Sequence, residues 1–288
     1  MKRYFRFLLF PFALGVINHL LSASRAEGMI PASHIILADT FQQASLDLSD
    51  LPEILIRFLP LLLFQILYGT MIYRHFCTAS VYFFSRKTNR IQWFLPECGK
   101  LFLHAVLYSA VLVLSGLGTV AVFGKLKWDE GALPLLAYFL IIYSLFLFFT
   151  TLAVNVLSIL MTGSGAFIVV EVICLVNIAV YAVLDPLSRK LAKYEPPAYF
   201  VPGQEVPNFL QDWMWAIRPD FIANLNLSLH SKGIGVPEGL INIQKLSFSL
   251  NWSVLYFLAL SLIVIVSGCL VVQKHSFIQA NQETGGIL

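Results

Sequence analysis

An all-α polytopic membrane protein with six transmembrane helices is the fold class that three observations predict. Of 288 residues, 58% are hydrophobic and only 12% charged, about half the roughly 25% charge of an ordinary soluble domain. Mean hydropathy is +0.77. The apolar residues also gather into six stretches, each near the ~20 residues a helix needs to cross hydrocarbon with every backbone amide satisfied internally.

The stretches cover 5–22, 52–73, 101–123, 134–158, 166–184 and 252–272. The first, "MKRYFRFLLFPFALGVINHLLSA", has the basic start, apolar run and small-residue end (Ser22 to Ser24) of a signal peptide. Its run is long for a signal core, and losing it would leave an odd number of spans, so a retained helix is expected. In the second, Arg57 lies one turn after Glu53, and an i, i+4 pair with the arginine stem snorkelling outward accounts for it. The third carries Ser115, Gly116 and Gly118, small residues that allow close helix contact. The fourth and fifth are joined by "LMTGSG" (160–165), which allows only a tight hairpin. The sixth follows the longest loop.

Positive charge sets the orientation. With the N-terminus inside, the inner segments hold Lys2, Arg3, Arg6, Arg74, Arg86, Lys87, Arg90, Lys100 and Lys274 against Glu97 and Glu283, whereas the outer ones balance their Lys and Arg with Glu27, Asp39, Asp47, Asp50, Glu53, Asp129, Glu130 and six more acids from Asp185 on. Cytoplasmic N- and C-termini follow, with a large extracellular segment, 185–251, between helices 5 and 6. That segment holds seven of the thirteen prolines, so no long helix fits its first third. "NFLQDWMWAIR" (208–218) suits a short amphipathic helix with Phe209, Leu210, Trp213 and Ile217 on one face. It reads either as an interfacial helix anchored by tryptophans or as a lid over an outward-facing exit.

Several chemistries are excluded. A net charge of +3 without a basic tail argues against nucleic acid. Cys77, Cys98, Cys174 and Cys269 form no zinc-type pair. None falls in a segment assigned to the exterior, so no disulfide framework is expected. "GKL" at 99–101 and 124–126 lacks the glycine-rich lead and hydroxyl of a phosphate loop, there is no H-E-x-x-H, and "TGSG" (162–165) lacks the first glycine of a nucleophile turn. His19 and His104 sit in different spans with no carboxylate nearby in sequence, as packing or interhelical hydrogen-bonding residues do. No catalytic residue, metal site or cofactor is therefore expected in this chain.

Polar residues inside spans need partners. Glu171 falls about 9 Å into the fifth span at 1.5 Å per residue, in the opposite leaflet from Arg57. Asn155 is the nearest polar group at that depth across the hairpin. A Glu171–Asn155 hydrogen bond that fixes the hairpin is one reading, and a role for Glu171 in gating or substrate passage the other. Asn177 reads as a packing residue.

The inner loop 74–100 gathers the remaining signal. "HFCTASVYFF" is apolar and aromatic but only about ten residues long, which suits an interfacial helix rather than a seventh span. Arg86, Lys87 and Arg90 follow in "SRKTNRIQW", and then Trp93 and Phe94 return to the membrane surface ahead of Pro96. The charges serve anionic lipid headgroups at about 1 kcal/mol each, a docked cytoplasmic protein, or both.

With its six spans, helix-plus-basic-turn loop between spans two and three, tight inner hairpin and large outer segment before span six, the chain resembles the membrane subunit of a type-2 ABC exporter. Over 74–104, "YFFSRKTNRIQW" and the span after it resemble the divergent Firmicutes permeases of peptide-export and bacteriocin-immunity systems. The resemblance implies a coupling helix at 76–84 that inserts into a separate ATPase subunit, with Phe76, Val81, Tyr82, Phe83, Phe84, Arg86, Lys87, Arg90 and Trp93 as the coupling residues. It implies ATP and Mg on that partner, a second permease copy or related permease, membrane lipid around the bundle, and the cell membrane of a Gram-positive bacterium. The first loop, 23–51, is longer than the family pattern. The competing reading is a non-transporting immunity or sensory protein whose outer loops bind a peptide.

Overall fold

The computed structural model describes residues 2–40, 51–82, 90–192, 221–227, 234 and 250–274. Six helices among them are long and apolar enough to cross a membrane: Phe7–Arg25, Ile56–Cys77, Ile91–Val122, Ala132–Leu160, Gly163–Val180 and Leu250–Lys274. They are compatible with a multi-pass membrane protein.

The helices are α1 (Lys2–Arg25), α2 (Ala32–Ala38), α3 (Leu51–Tyr68), α4 (Met71–Tyr82), α5 (Ile91–Val122), α6 (Ala132–Leu160), α7 (Gly163–Ala192), α8 (Phe221–Leu225) and α9 (Leu250–Lys274). Helix α6 is the axle, packed against α2, α3, α4, α5, α7 and α9, while α1 lies along α5. Its hydroxyls fit an apolar span because they bond back one turn: Thr150 donates to the Phe146 carbonyl at 2.8 Å and Ser158 to the Val154 carbonyl at 2.7 Å. Phe146, Phe149, Phe221 and Phe257 close a ring cluster between α6, α8 and α9, with centroids 5.2 to 6.3 Å apart.

Small residues set two close approaches. Gly15 of α1 sits on Ser115 and on the Leu112 carbonyl of α5, and Gly116 lies under the His19 ring, where a Cβ would stand 2.5 Å from Cδ2. These contacts bring α1 and α5 to near-backbone distance. Gly118, read from sequence with the same role, faces open space. Gly268 of α9 lies against Phe94 and Val156, tying α9 to α5 and α6.

Three boundaries differ from the sequence reading. Helix α5 begins at Ile91 rather than 101 and runs through Pro96, which removes the amide that would reach the Gln92 carbonyl and crowds that carbonyl with its ring. The second apolar stretch is two helices, α3 and α4, interrupted at Gly69–Thr70. Helix α7 runs on to Ala192 across Pro186. Loop 74–100 is therefore largely helical at both of its ends. The 208–218 helix, most of 185–251 and the C-terminal residues 275–288 lie outside the described residues.

At one end of the bundle the segments after α1 and α5 form a cap. Strand β1 (Ile30–Pro31) pairs in parallel with β2 (Leu126–Lys127), and Lys125 Nζ donates to the carbonyls of Ala23 and Ala26 at 2.9 and 2.6 Å. Gly124, with φ of 67°, makes the left-handed turn that ends α5.

Candidate functional site

The break between α3 and α4 creates a polar demand inside the bundle. A helix end leaves carbonyls without partners, and a helix start leaves amides in the same state; in hydrocarbon no water meets them. Asn155 of α6 does. Its Oδ1 accepts from the amides of Ile72 and Tyr73 at 2.8 and 3.3 Å, the second and third residues of α4. Its Nδ2 donates to the Tyr68 carbonyl that closes α3 and to the Thr151 carbonyl one turn back, both at 2.9 Å. A fully buried carboxamide on a neighbouring helix thus caps both halves of a broken span.

The expected Glu171–Asn155 bond is absent, because every hydrogen-bonding position of Asn155 is committed to backbone. Glu171 projects from α7 toward Gln65 of α3, its interaction partner. Neither carboxylate oxygen of Glu171 and neither amide atom of Gln65 has a hydrogen-bond partner, and Thr151 Oγ1 is in the same state. Glu171 is 9% exposed, Gln65 1% and Thr151 buried outright. Asn177, further along α7, donates to the Ile173 carbonyl at 2.9 Å and accepts from the Phe221 amide at 3.1 Å, so it fastens α8 to α7.

The residues assigned to ATPase coupling divide into three groups. Phe76 is 2% exposed and lies 5.9 Å from Trp93, centroid to centroid, between α4 and α5. Arg90 Nη1 donates to the Val272 carbonyl of α9 at 3.2 Å. Val81 and Tyr82 end α4, but their side chains, with Phe83, Phe84, Arg86 and Lys87, lie outside the described residues. The described members thus form the base of the loop, with Phe76 buried and Trp93 and Arg90 half-buried.

That base has an ionic component that the sequence reading passed over. Glu97 of α5 is buried, its Oε2 3.0 Å from His75 Nδ1 of α4 and its Oε1 accepting from Lys100 Nζ at 2.6 Å. The buried carboxylate has two partners reaching in from the surface. Together with Phe76–Trp93 and Arg90–Val272 it binds α4, α5 and α9 where the loop leaves the bundle.

At the capped end a second pair joins elements far apart in sequence. His19 Nε2 lies 3.0 Å from Asp39 Oδ1, with both side chains buried. The sequence offered His19 no nearby carboxylate because Asp39 closes α2, in the loop that folds back over α1. His34, outside the spans, is held below its ordinary value of 6.5, first by burial and then by the neighbouring His19; its neutral ring is the favoured form. Arg57 donates to the Thr40 carbonyl, while the Glu53 side chain lies outside the described residues. Among the described residues no group of three His, Cys, Asp or Glu side chains is placed to hold a metal ion.

No protein-family model, curated protein or solved structure matches this chain.

Proposed function

We propose that the chain is the membrane-spanning permease subunit of an ABC exporter in the cell membrane of a Gram-positive bacterium. In this reading both termini are cytoplasmic. A peptide or other amphipathic substrate is moved outward by alternating access, driven by a separate ATPase subunit that carries the ATP and Mg. The observation that carries the proposal is the build of the 71–100 elbow. A basic aromatic segment without a motor of its own is rooted in three helices by Phe76–Trp93, Glu97–His75 and Arg90–Val272. A push on a loosely hung loop would be absorbed locally, but a push on this one reaches α4, α5 and α9 together. The interdigitated interior makes such transmission physical, since packed helices shift as units. Arg86 and Lys87 would supply the charge-assisted contacts to the ATPase, with anionic lipid beside them. A second permease, identical or related, would complete the translocation path.

Affinity purification of the full chain from its native membrane tests this. An ATPase subunit of the ABC class is expected to co-purify, and Arg86→Glu with Lys87→Glu is expected to reduce its recovery at least tenfold while the protein's thermal unfolding is unchanged. Arg90 is left intact because it also holds α9. Recovery of the chain without any ATPase, or recovery that ignores both charge reversals, overturns the proposal.

A further inference from the structure

Gln65, Thr151 and Glu171 come from three different helices and share one layer of the bundle. Gly163, at the start of α7, lies against Thr70 and Ser158, which sets a common level for α3, α6 and α7. From that level Gln65, Thr151 and Glu171 each lie about one and a half to two turns along their helices, within about 5 Å of one depth at 1.5 Å per residue. Thr151 is one turn before Asn155, whose side chain reaches the end of α3, so it stands on the face of α6 that meets α3. Gln65 and Glu171 interact across α3 and α7.

This layer is rich in oxygens. Two carboxylate oxygens, one hydroxyl oxygen and both the oxygen and the nitrogen of the Gln65 amide are buried without a hydrogen-bond partner. Leaving one such group unpaired in an apolar interior costs roughly 1–3 kcal/mol, and more for a charged one. Folded proteins satisfy nearly all of them, so an unpaired cluster points to a ligand. Asn155, one turn away, shows that this part of the bundle can saturate a polar side chain where the need is structural.

We infer that Gln65, Thr151 and Glu171 form an intramembrane binding site for a small monovalent cation. Oxygen donors suit hard cations. The charge selects the valence: one carboxylate balances one positive charge, whereas a divalent ion would leave a net charge buried in low dielectric. A carboxylate at this depth is the residue type that marks ion pathways through bundles. The site bridges α3 and α7, so an occupying ion would draw together the helices of the second and fifth spans. It stands apart from the elbow and does not depend on an ATPase partner.

The test uses the purified full chain in nanodiscs, with thermal unfolding followed by tryptophan fluorescence. NaCl, LiCl and KCl are each titrated against choline chloride at constant ionic strength. At least one of the three ions is expected to raise the unfolding temperature saturably. Glu171→Gln is expected to abolish that rise, and Thr151→Val and Gln65→Leu to weaken apparent affinity at least tenfold, with Thr151→Ser retaining it. Should Glu171→Gln fail to fold, titration of the cation that stabilises the unaltered chain against Thr151→Val and Thr151→Ser carries the same decision. Equal unfolding temperatures in all four salts, a cation effect that survives in Glu171→Gln, or an affinity left undiminished in Thr151→Val overturns the inference. Failure here would leave ATPase co-purification untouched, and failure of co-purification would leave this site untouched.

Discussion

Asn155 and Glu171 occupy the same interior, one helix apart, and meet opposite fates. Asn155 uses every hydrogen-bonding position it has, all on backbone; Glu171 uses none. The first is polar because the fold broke a span and needed a cap. The second answers no backbone demand, and its burial without a hydrogen bond is a cost to the fold. The difference separates polar residues that hold a membrane bundle together from those the bundle retains for another reason.

The largest effect is expected at Asn155. Asn155→Leu removes the bonds made to the Tyr68 carbonyl and to the amides of Ile72 and Tyr73; at roughly 1–3 kcal/mol for each bond lost from the interior and with partial relaxation of the break, the loss is about 4 kcal/mol. Reversible unfolding in mixed detergent micelles measures it. A loss below about 1 kcal/mol would mean that the α3–α4 break satisfies itself and that Asn155 is no cap.

Glu171 is expected to respond in the opposite direction. Replacing an unpaired buried polar group with an apolar one of similar size is neutral or stabilising, so Glu171→Leu in choline chloride should be as stable as the unaltered chain or more stable, by up to about 2 kcal/mol. A destabilisation comparable to that of Asn155→Leu would erase the contrast, because Glu171 would then be holding structure. The two variants together thus decide whether hydrogen-bond saturation, rather than polarity or depth, governs stability in this interior.

Glu97 is an intermediate case: buried like Glu171, partnered like Asn155, but partnered by exposed side chains. His75 and Lys100 are 56% and 59% exposed, so each contact is screened by solvent and contributes little on its own. His75→Ala should cost no more than about 1 kcal/mol while Lys100 still holds the carboxylate. Pairing it with Lys100→Ala should cost more than the sum of the two, because the double variant strands a buried charge. Simple additivity would show that water reaches Glu97 and that the elbow is not anchored there.

The spans were legible because a run of apolar residues long enough to cross hydrocarbon has few alternatives. Intramembrane polarity was visible too, in Glu171, Asn155 and Asn177. Pairing was not. Asn155 was matched to Glu171 by depth alone, whereas its actual partners are backbone groups exposed by an interruption at Gly69–Thr70 that sits inside an unbroken apolar stretch. Gln65 drew no notice because a single uncharged residue barely changes the hydropathy of its span. His19–Asp39 and Glu97–His75 each join residues about twenty apart through folded-back loops, and composition carries no trace of such a return. The third span was started at 101, after Pro96, yet α5 begins at Ile91 and runs through the proline.

The smallest effect sharpens the comparison from its neutral side. Ser144 and Ser109 meet between α6 and α5 at 2.6 Å, both buried, and Ser109 also donates to the Val106 carbonyl at 3.1 Å. Either hydroxyl can donate across that contact; with the Ser109 proton on its own helix, Ser144 is the donor. Ser144→Ala therefore strands no donor: it removes one interhelical bond, and Ser109 keeps its own. Interhelical bonds of this kind contribute about 0.6 kcal/mol in membrane bundles, and a loss of that size is expected in the same micelle unfolding assay. Ser109→Ala should cost more, because it leaves the Ser144 hydroxyl to find another acceptor in a dry interface. If the two losses are equal, the assigned direction of the bond is wrong. Equal losses would also weaken the claim made for Asn155, since that claim holds that what a substitution leaves unpaired matters more than the bond it removes.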